Sequence, residues 1–119
     1  MNFRDKRIHS RIKCNNLVQI KCIDSEGQIS SQFLGQILNI SKGGVKIKSP
    51  LPIDTELILI STLDKENKSF GIKGKIVFSA RKESGGHLLG IKFEAPEDSC
   101  IKFIRAVIRT HFSQTHSNA

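Results

Sequence analysis

The sequence predicts an all-β domain, a barrel or a sandwich of six short antiparallel strands, followed by one C-terminal helix. Six segments rich in alternating apolar residues follow one another at fairly even spacing, and turn-forming residues separate them. No helical pattern lies between these segments, whereas a parallel βαβ sheet would need a crossover helix at each connection. The apolar period becomes helical only after the APEDS segment at 95–99.

The predicted strands share a short length and an apolar phase: 17–23, 32–40, 45–49, 56–61, 70–78 and 88–93. The first alternates clearly, with Val18, Ile20 and Cys22 on one face and polar residues on the other. The third directs Lys46 and Lys48 away from its apolar face. Such alternation predicts strands with one buried face and one solvated face.

The fifth segment has the cleanest alternation of the six. Its apolar residues fall on one face, which is therefore expected to be buried: Phe70, Ile72, Ile76 and Phe78. Single glycines lie inside several strand patterns, at positions 35, 71, 74 and 90. Because glycine within a strand often marks a bulge or a tight bend, these positions suit the sharp coiling of a small barrel.

The C-terminal helix is predicted from about residue 98 to residue 112. Apolar residues recur there at helical spacing: Ile101, Ile104, Val107, Ile108 and Phe112. Asp98 or Ser99 can cap its N-terminus. The apolar stripe is expected to pack over an open end of the barrel, with a partner surface as the alternative. The polar residues 113–119 are predicted to form a disordered tail.

Length and composition predict one soluble domain, and the residue spacings predict that it is not an enzyme. A chain of 119 residues, 38% hydrophobic and 25% charged, is long enough to bury a core without disulfide or metal staples. No apolar run approaches the roughly 20 residues of a membrane span, and the charged N-terminus does not resemble a signal peptide. We therefore expect a cytoplasmic protein without membrane insertion. No nucleophile–base pair or metal-ligand spacing is present, so neither catalytic residues nor metal ligands are predicted.

The three cysteines, Cys14, Cys22 and Cys100, match no metal-binding or redox spacing. Cys22 falls on the apolar phase of a strand, and Cys100 begins the helical pattern. Both are therefore expected to behave as small buried apolar residues. None of the three is predicted to be reactive.

Positive charge is concentrated at the N-terminus. Residues 1–13 carry five basic side chains and one acidic one, which is about half of the net charge of +8. They precede the first strand, so we predict a flexible basic arm at 1–13 and a folded domain, barrel and helix, at 14–112. Such an excess of positive charge favours anionic partners, whether phosphates, nucleic acids or membrane surfaces.

Two short motifs contain the residues that are candidates for binding a ligand. In KRIHSR, Arg7 and Arg11 stand four residues apart, and NISKGG places Asn39, Ser41 and Gly44 between two strands. Taken alone, the first motif is typical of a solvated basic arm. The second, taken alone, is typical of a hairpin turn, because Asn and Ser bond the local backbone and glycine tolerates positive φ.

Together, Arg-x-x-x-Arg and a later Asn-x-Ser-x-x-Gly resemble the paired signature of the PilZ family, whose domains bind the bacterial second messenger cyclic di-GMP. The second motif follows the first by about 30 residues, and GHLLGIKF resembles the late Gly-x-x-Phe strand of the family. The resemblance covers roughly residues 4–112. It implies a six-stranded antiparallel β-barrel with a C-terminal helix. It also implies a single-domain bacterial receptor that has no cofactor and relays ligand binding to an unidentified protein partner.

The resemblance implies a ligand site made of the motif residues and two of their neighbours: Arg7, Arg11, Asn39, Ser41 and Gly44, with Lys6 and Gly43 as further candidates. A guanidinium can grip a phosphate or a guanine edge with two parallel hydrogen bonds, which an ammonium cannot do. An Asn side chain offers both a donor and an acceptor to a guanine edge, and glycine lets a flat base approach the backbone. In the family, the position of Lys6 is linked to whether one ligand or a stacked pair binds.

Two other functions stay open at the level of the sequence. A barrel of this family can act as a protein-interaction module without nucleotide, although the intact arginine pair argues against it. A basic small barrel can instead bind nucleic acid. Barrel-type single-strand binders rely on exposed stacking rings, but this chain has no Trp or Tyr, and its seven Phe lie mostly on apolar phases. Nucleic acid is therefore not expected as a partner.

Overall fold

The structure is a computed structural model that describes residues 11–63 and 69–117, without the side chains of residues 63 and 112–117. Its elements are β1 (Ile12–Ile23), β2 (Ile29–Ile40), β3 (Gly44–Ser49), β4 (Leu57–Leu63), β5 (Ser69–Arg81), β6 (His87–Phe93) and α1 (Glu97–Ser117). The six predicted strands and the C-terminal helix are confirmed.

The six strands close into one antiparallel barrel with the order β1-β2-β3-β6-β5-β4. Consecutive strands pair as hairpins in β1–β2, β2–β3, β4–β5 and β5–β6. Two long-range ladders, β1 with β4 and β3 with β6, complete the circle. Closure pairs each of the six described strands on both sides, and small all-β domains avoid edge-to-edge association in this way. Of the two architectures that the strand pattern allows, the chain adopts the barrel.

β-Branched residues fill the barrel interior. Val18, Ile20 and Cys22 of β1 are all buried, as their alternation predicts. Isoleucines contribute most of the remaining volume, and six of them have no exposed surface: Ile20, Ile37, Ile40, Ile47, Ile58 and Ile60. Branching at Cβ stiffens these side chains and favours the pleated strand, so one residue type serves both local structure and packing.

The prediction that Phe78 lies on the buried face of β5 is wrong. The ladder between β5 and β6 pairs Ile76 with Ile91 and Phe78 with Gly90, so β5 has one residue more than its partner at this point. This bulge changes the phase of the strand, because one extra residue turns every later side chain to the opposite face. Phe78 is consequently 53% exposed, whereas Ile72 stays in the core.

Helix α1 packs its apolar stripe on the barrel, against β1, β4 and β5. Phe103 and Val107 are buried, and the Phe103 ring meets Phe93 edge to face with 5.9 Å between ring centroids. Asn16 of β1 adds a hydrogen bond between the barrel and the helix, since its Nδ2 donates to the carbonyl oxygen of Val107 at 3.1 Å. The stripe thus serves the chain's own core, as expected for an amphipathic helix.

The folded domain begins and ends at slightly different residues from those that the sequence predicts. Ile12 and Lys13, which the sequence assigns to the arm, pair with Ile40 and Asn39 in the first ladder. The remainder of the predicted arm, residues 1–10, lies outside the described residues. Helix α1 continues to Ser117, into the predicted tail, because no glycine or proline follows residue 112 to end it.

Cys22 and Cys100 are buried, and Cys14 is half-buried beside the core. Burial raises the pKa of the Cys14 thiol from 9.0 to about 11. Since the fold disfavours the thiolate, this group contributes stability that is present below pH 9.0 and is lost as the pH rises toward about 11.

We therefore expect iodoacetamide to alkylate Cys14 about 100-fold more slowly in the folded protein than in the urea-unfolded chain at pH 8. The reason is the lower thiolate fraction in the folded state. Mass spectrometry of the peptide that contains Cys14 measures both rates. Equal rates would show that this thiol is not shielded by the fold.

Candidate functional site

The NISKGG segment spans the end of β2, the tight connection at 41–43 and the first residue of β3, and it is hydrogen-bonded to β6. The backbone N–H of Ser41 donates to the Gly44 carbonyl oxygen at 2.9 Å, and the Ser41 hydroxyl lies 3.4 Å from the same oxygen. The Gly43 carbonyl oxygen accepts from the backbone N–H of Phe93 at 3.0 Å. Local bonds and one long-range bond therefore hold this turn in place on the barrel surface.

The two glycines of the turn differ in what surrounds them. A Cβ added at Gly44 would clash with the backbone carbonyl oxygen of Ile91, whereas a Cβ at Gly43 would meet no atom within 4 Å. Neither glycine has a positive φ. Gly44 is therefore required by the close approach of β3 to β6, and Gly43 leaves open space above the backbone.

Pairing of β1 with β2 brings the two sequence motifs together. Lys13 stands opposite Asn39 in the ladder, and Arg11 lies just before that pair. The Arg11 Nη1 donates to the Asn39 Oδ1 at 2.8 Å, across 28 residues of sequence. This bond directs the amide oxygen of Asn39 toward the arginine and leaves its Nδ2 donors for another acceptor.

A surface cleft of about 560 Å³ lies beside this pair, and we call it the motif cleft. Arg11, Ser41, Gly43 and Gly44 line it, and Asn39 joins it through its bond to Arg11. The structure thus brings together five of the seven predicted site residues. The other two, Lys6 and Arg7, lie outside the described residues. The volume is within the range of pockets that hold small organic ligands.

Sequence reasoning missed the far wall of the motif cleft, which β5 and β6 supply. Val77 and Phe78 line the cleft and are 61% and 53% exposed. A Cβ at Gly90 would come within 3.1 Å of the Phe78 Cβ, so this glycine lets the phenylalanine lie close against β6. The strand pattern placed Phe78 in the core, and only the bulge, which alternation does not report, turns it outward.

Two lysines also line the motif cleft. Lys46 stands opposite Gly90 and Lys92 stands opposite Gly44, so the two are diagonal neighbours on the outer face of β3 and β6. Together with Arg11 they make the cleft cationic, and none of its described lining residues is acidic. The outward phase of Lys46 was readable from the sequence, but its nearness to Arg11 was not.

The arrangement offers three kinds of contact within one cleft. Cationic side chains can bind phosphate oxygens, the Phe78 ring can stack on a planar base, and Ser41 and Asn39 can bond to a base edge. Within residues 11–63 and 69–117, no group of three or more His, Cys, Asp or Glu is placed to hold a metal ion. In the same part of the chain, no helix is long and apolar enough to span a bilayer.

Comparison with known proteins gives a family match. A family model described as PilZ domain matches residues 5–109 of the chain. No curated protein matches the sequence.

Solved structures resemble the chain at low sequence identity. The PilZ domain of CeSA from a cellulose-synthesizing bacterium has a TM-score of 0.59 at 19% identity, over 89% of this chain and 98% of that chain. The Bacillus subtilis inhibitor of motility, MotI/DgrA, has a TM-score of 0.60 at 12% identity, over 93% of this chain and 52% of that chain.

The Borreliella burgdorferi PlzA protein, solved in complex with c-di-GMP, has a TM-score of 0.51 at 19% identity, over 85% of this chain and 52% of that chain. The chain therefore spans about half the length of this protein and of the Bacillus one. At these identities the likeness establishes the fold.

Proposed function

Because this chain belongs to the PilZ domain family, we propose that it is a receptor for cyclic di-GMP that passes ligand binding on to a protein partner. The observation that carries the proposal is the meeting of Arg11, Ser41, Gly43 and Gly44 on one cationic cleft. A receptor for this ligand needs cations for two phosphates and a surface for two guanines. The solved complex of the similar Borreliella burgdorferi protein with the same ligand adds support.

The proposed roles follow from the chemistry of each side chain. Arg11 binds a phosphate or the O6/N7 edge of a guanine with its fork of donors, and Arg7, four residues earlier in the motif, binds the same ligand. Asn39 donates from Nδ2 to an acceptor on a base edge, while Ser41 contributes its hydroxyl. Gly43 leaves room for the flat face of a base.

Residues outside the two motifs extend the proposed site. Lys46 and Lys92 neutralise phosphate charge on the barrel side of the motif cleft, where they supply point charges rather than a fork. Lys6, beside Arg7 in the sequence, is proposed to add a further positive charge. A ligand with two phosphates needs more than one such cation.

The relay to a protein partner is the second part of the proposal. Binding in the motif cleft places an anionic ligand on the outer face of the barrel, where a partner can contact it. The ligand strengthens that contact only as far as the partner binds the liganded protein more tightly than the free one.

The proposal is tested by calorimetric titration of the purified protein with cyclic di-GMP. The wild type is expected to bind saturably, and an Arg7→Ala/Arg11→Ala double variant is expected not to bind. GTP and a short single-stranded DNA serve as controls. No binding by the wild type, in calorimetry and in equilibrium dialysis, would refute the receptor function. Tight DNA binding with a steep salt dependence would assign the basic surface to nucleic acid instead.

We further expect Phe78→Ala to weaken cyclic di-GMP binding by about tenfold or more, because it removes a stacking surface worth about 1–3 kcal/mol per base. The unfolding free energy is expected to change little, since half of the side chain is exposed. Phe78→Trp keeps a ring and should preserve binding. Leu51→Ala, at an equally exposed apolar residue away from the motif cleft, is the matched control. Unchanged affinity of Phe78→Ala would remove this residue from the site.

A further inference from the structure

The hydrogen bond between Arg11 and Asn39 fixes which end of the Asn39 amide is available to a ligand. The Arg11 Nη1 lies 2.8 Å from the Asn39 Oδ1. A guanidinium only donates hydrogen bonds, so the amide atom that faces it must be the oxygen and not the nitrogen. The Nδ2 group, which carries the donors, is therefore the end of the amide that stays available.

The amide oxygen of Asn39 is a poor acceptor for any further group. One of its lone pairs accepts from Arg11, and the other lies beside the same positive charge. A base N–H that approached this oxygen would bring the positive end of its own dipole toward the guanidinium. Arg11 keeps its remaining N–H donors, which are enough for a bidentate contact with a purine edge while Nη1 holds Asn39.

The motif cleft itself is also poor in side-chain acceptors. None of its described lining residues is acidic, and Ser41 is the only one of them with a side-chain oxygen. The Ser41 hydroxyl donates to the Gly44 carbonyl oxygen at 3.4 Å, which keeps it turned toward its own backbone. Lys46 and Lys92 add donors but no acceptors. The motif cleft therefore favours a ligand edge that is made of acceptors.

A purine shows such an edge only when its 6-position carries an oxygen. Guanine and hypoxanthine present O6 beside N7, and both atoms are acceptors, whereas adenine presents an N6 amino group beside N7. The adenine amino group would face the donors of Arg11 and Asn39 with no acceptor for its hydrogens. Guanine differs from hypoxanthine only by the 2-amino group, which lies away from the O6/N7 edge.

We propose that Asn39 acts purely as a hydrogen-bond donor, that it and Arg11 together read the O6 side of a purine, and that the 2-amino group of guanine is not recognised. The site then selects 6-oxopurines as a class. Cyclic di-IMP, which carries hypoxanthine in place of guanine, is consequently as good a ligand as cyclic di-GMP. The inference rests on the proposed function, since it names the part of the nucleotide that the motif cleft distinguishes.

The first test compares three nucleotides on the wild-type full chain by calorimetry. Cyclic di-IMP lacks the 2-amino groups and is expected to bind within about threefold of cyclic di-GMP. Cyclic di-AMP carries 6-amino groups and is expected to bind at least about tenfold more weakly, because the mismatched edge loses its paired contacts. A larger preference for cyclic di-GMP over cyclic di-IMP would overturn the proposal. Equal binding of cyclic di-AMP and cyclic di-GMP would overturn it as well.

The second test uses an Asn39→Asp variant, for which the two possible orientations of guanine predict opposite results. A carboxylate accepts and does not donate, so on the O6 side it repels guanine and accepts from the adenine amino group. We therefore expect the preference for cyclic di-GMP over cyclic di-AMP to fall by about tenfold. On the N1/N2 side the same carboxylate would accept from two guanine donors, and the preference would rise. An unchanged or higher preference would contradict the donor role of Asn39.

Gln36→Glu is the matched control for Asn39→Asp. It adds the same negative charge earlier on β2, at a residue outside the motif cleft. We expect it to leave the ratios of the three affinities unchanged. Because the measured quantity is a ratio, a general loss of affinity or stability does not imitate the expected result. Equal changes of the ratio in both variants would show that net charge governs selectivity and would count against the proposal.

The receptor function and the selectivity of Asn39 fail in different ways. If the wild type binds none of the three nucleotides, the receptor function falls and the selectivity falls with it. If the wild type binds cyclic di-GMP but discriminates strongly against cyclic di-IMP, the receptor function stands and only the donor role of Asn39 is removed.

Discussion

Replacing Arg11 by alanine is expected to weaken cyclic di-GMP binding by about 100-fold, the larger part of the effect of the double variant. Hydrogen bonds to charged groups contribute about 1.5–3 kcal/mol each, and Arg11 can make two of them to one phosphate or one guanine edge. The substitution also removes the bond that orients Asn39, so the second motif loses its alignment with the first. Calorimetry with both proteins at the same ionic strength measures the ratio of the dissociation constants.

Two further variants separate the causes of this loss. Arg11→Lys keeps the charge but not the fork, so an intermediate loss of about tenfold is expected. Lys21→Ala removes one cation from a part of β1 outside the motif cleft and should leave affinity nearly unchanged. Arg11 is exposed, so Arg11→Ala should change the unfolding free energy by less than about 0.5 kcal/mol. If Lys21→Ala and Arg11→Ala weaken binding equally, net charge rather than the motif governs affinity.

The second large effect is expected at Gly44, and it concerns stability. Gly44→Ala places a methyl group against the carbonyl oxygen of Ile91, in the ladder that joins β3 to β6. The strands must separate or shift there, which we expect to cost about 3 kcal/mol. Urea unfolding followed by circular dichroism measures this as a lower midpoint, and failure to yield soluble folded protein is the extreme form of the same result.

Gly43→Ala is the matched control for Gly44→Ala, one residue away in the same turn. Its Cβ meets no atom within 4 Å, so we expect the urea midpoint to stay within error of the wild type or to rise slightly. A base lying over Gly43 in the complex would still lower the affinity of this variant. A Gly44→Ala variant as stable as Gly43→Ala would show that the close approach of β3 and β6 is not restrictive.

Much of this architecture could be predicted from local patterns. The alternation of Val18, Ile20 and Cys22 correctly identified the buried face of β1. The change from a period of two to a period near 3.6 correctly located the C-terminal helix and its buried Val107, but the predicted stripe did not include Phe103, which is also buried. These predictions succeed because burial of one face requires a periodic sequence, and the period differs between strand and helix.

Part of the candidate site was predictable as well. The two motifs identified Arg11, Asn39 and Ser41, and the structure places these residues side by side at the first ladder and the turn after β2. The reason given for Gly44 changed, from access for a ligand to the clash with Ile91. A local motif shows that glycine is required, but only the packing of another strand shows what excludes a side chain.

By itself, the sequence determined the number and kind of the elements, the buried faces of β1 and β3, the basic N-terminus and the two motifs. The tertiary structure alone decided that the sheet closes, because the β1–β4 and β3–β6 pairings join residues far apart in the chain. It also decided that Phe78 faces the motif cleft and that the buried Asn16 joins β1 to Val107 of helix α1 by a hydrogen bond. The physical reason is that alternation reports the phase of a strand, whereas register and bulges depend on the partner strand and can reverse that phase with one residue.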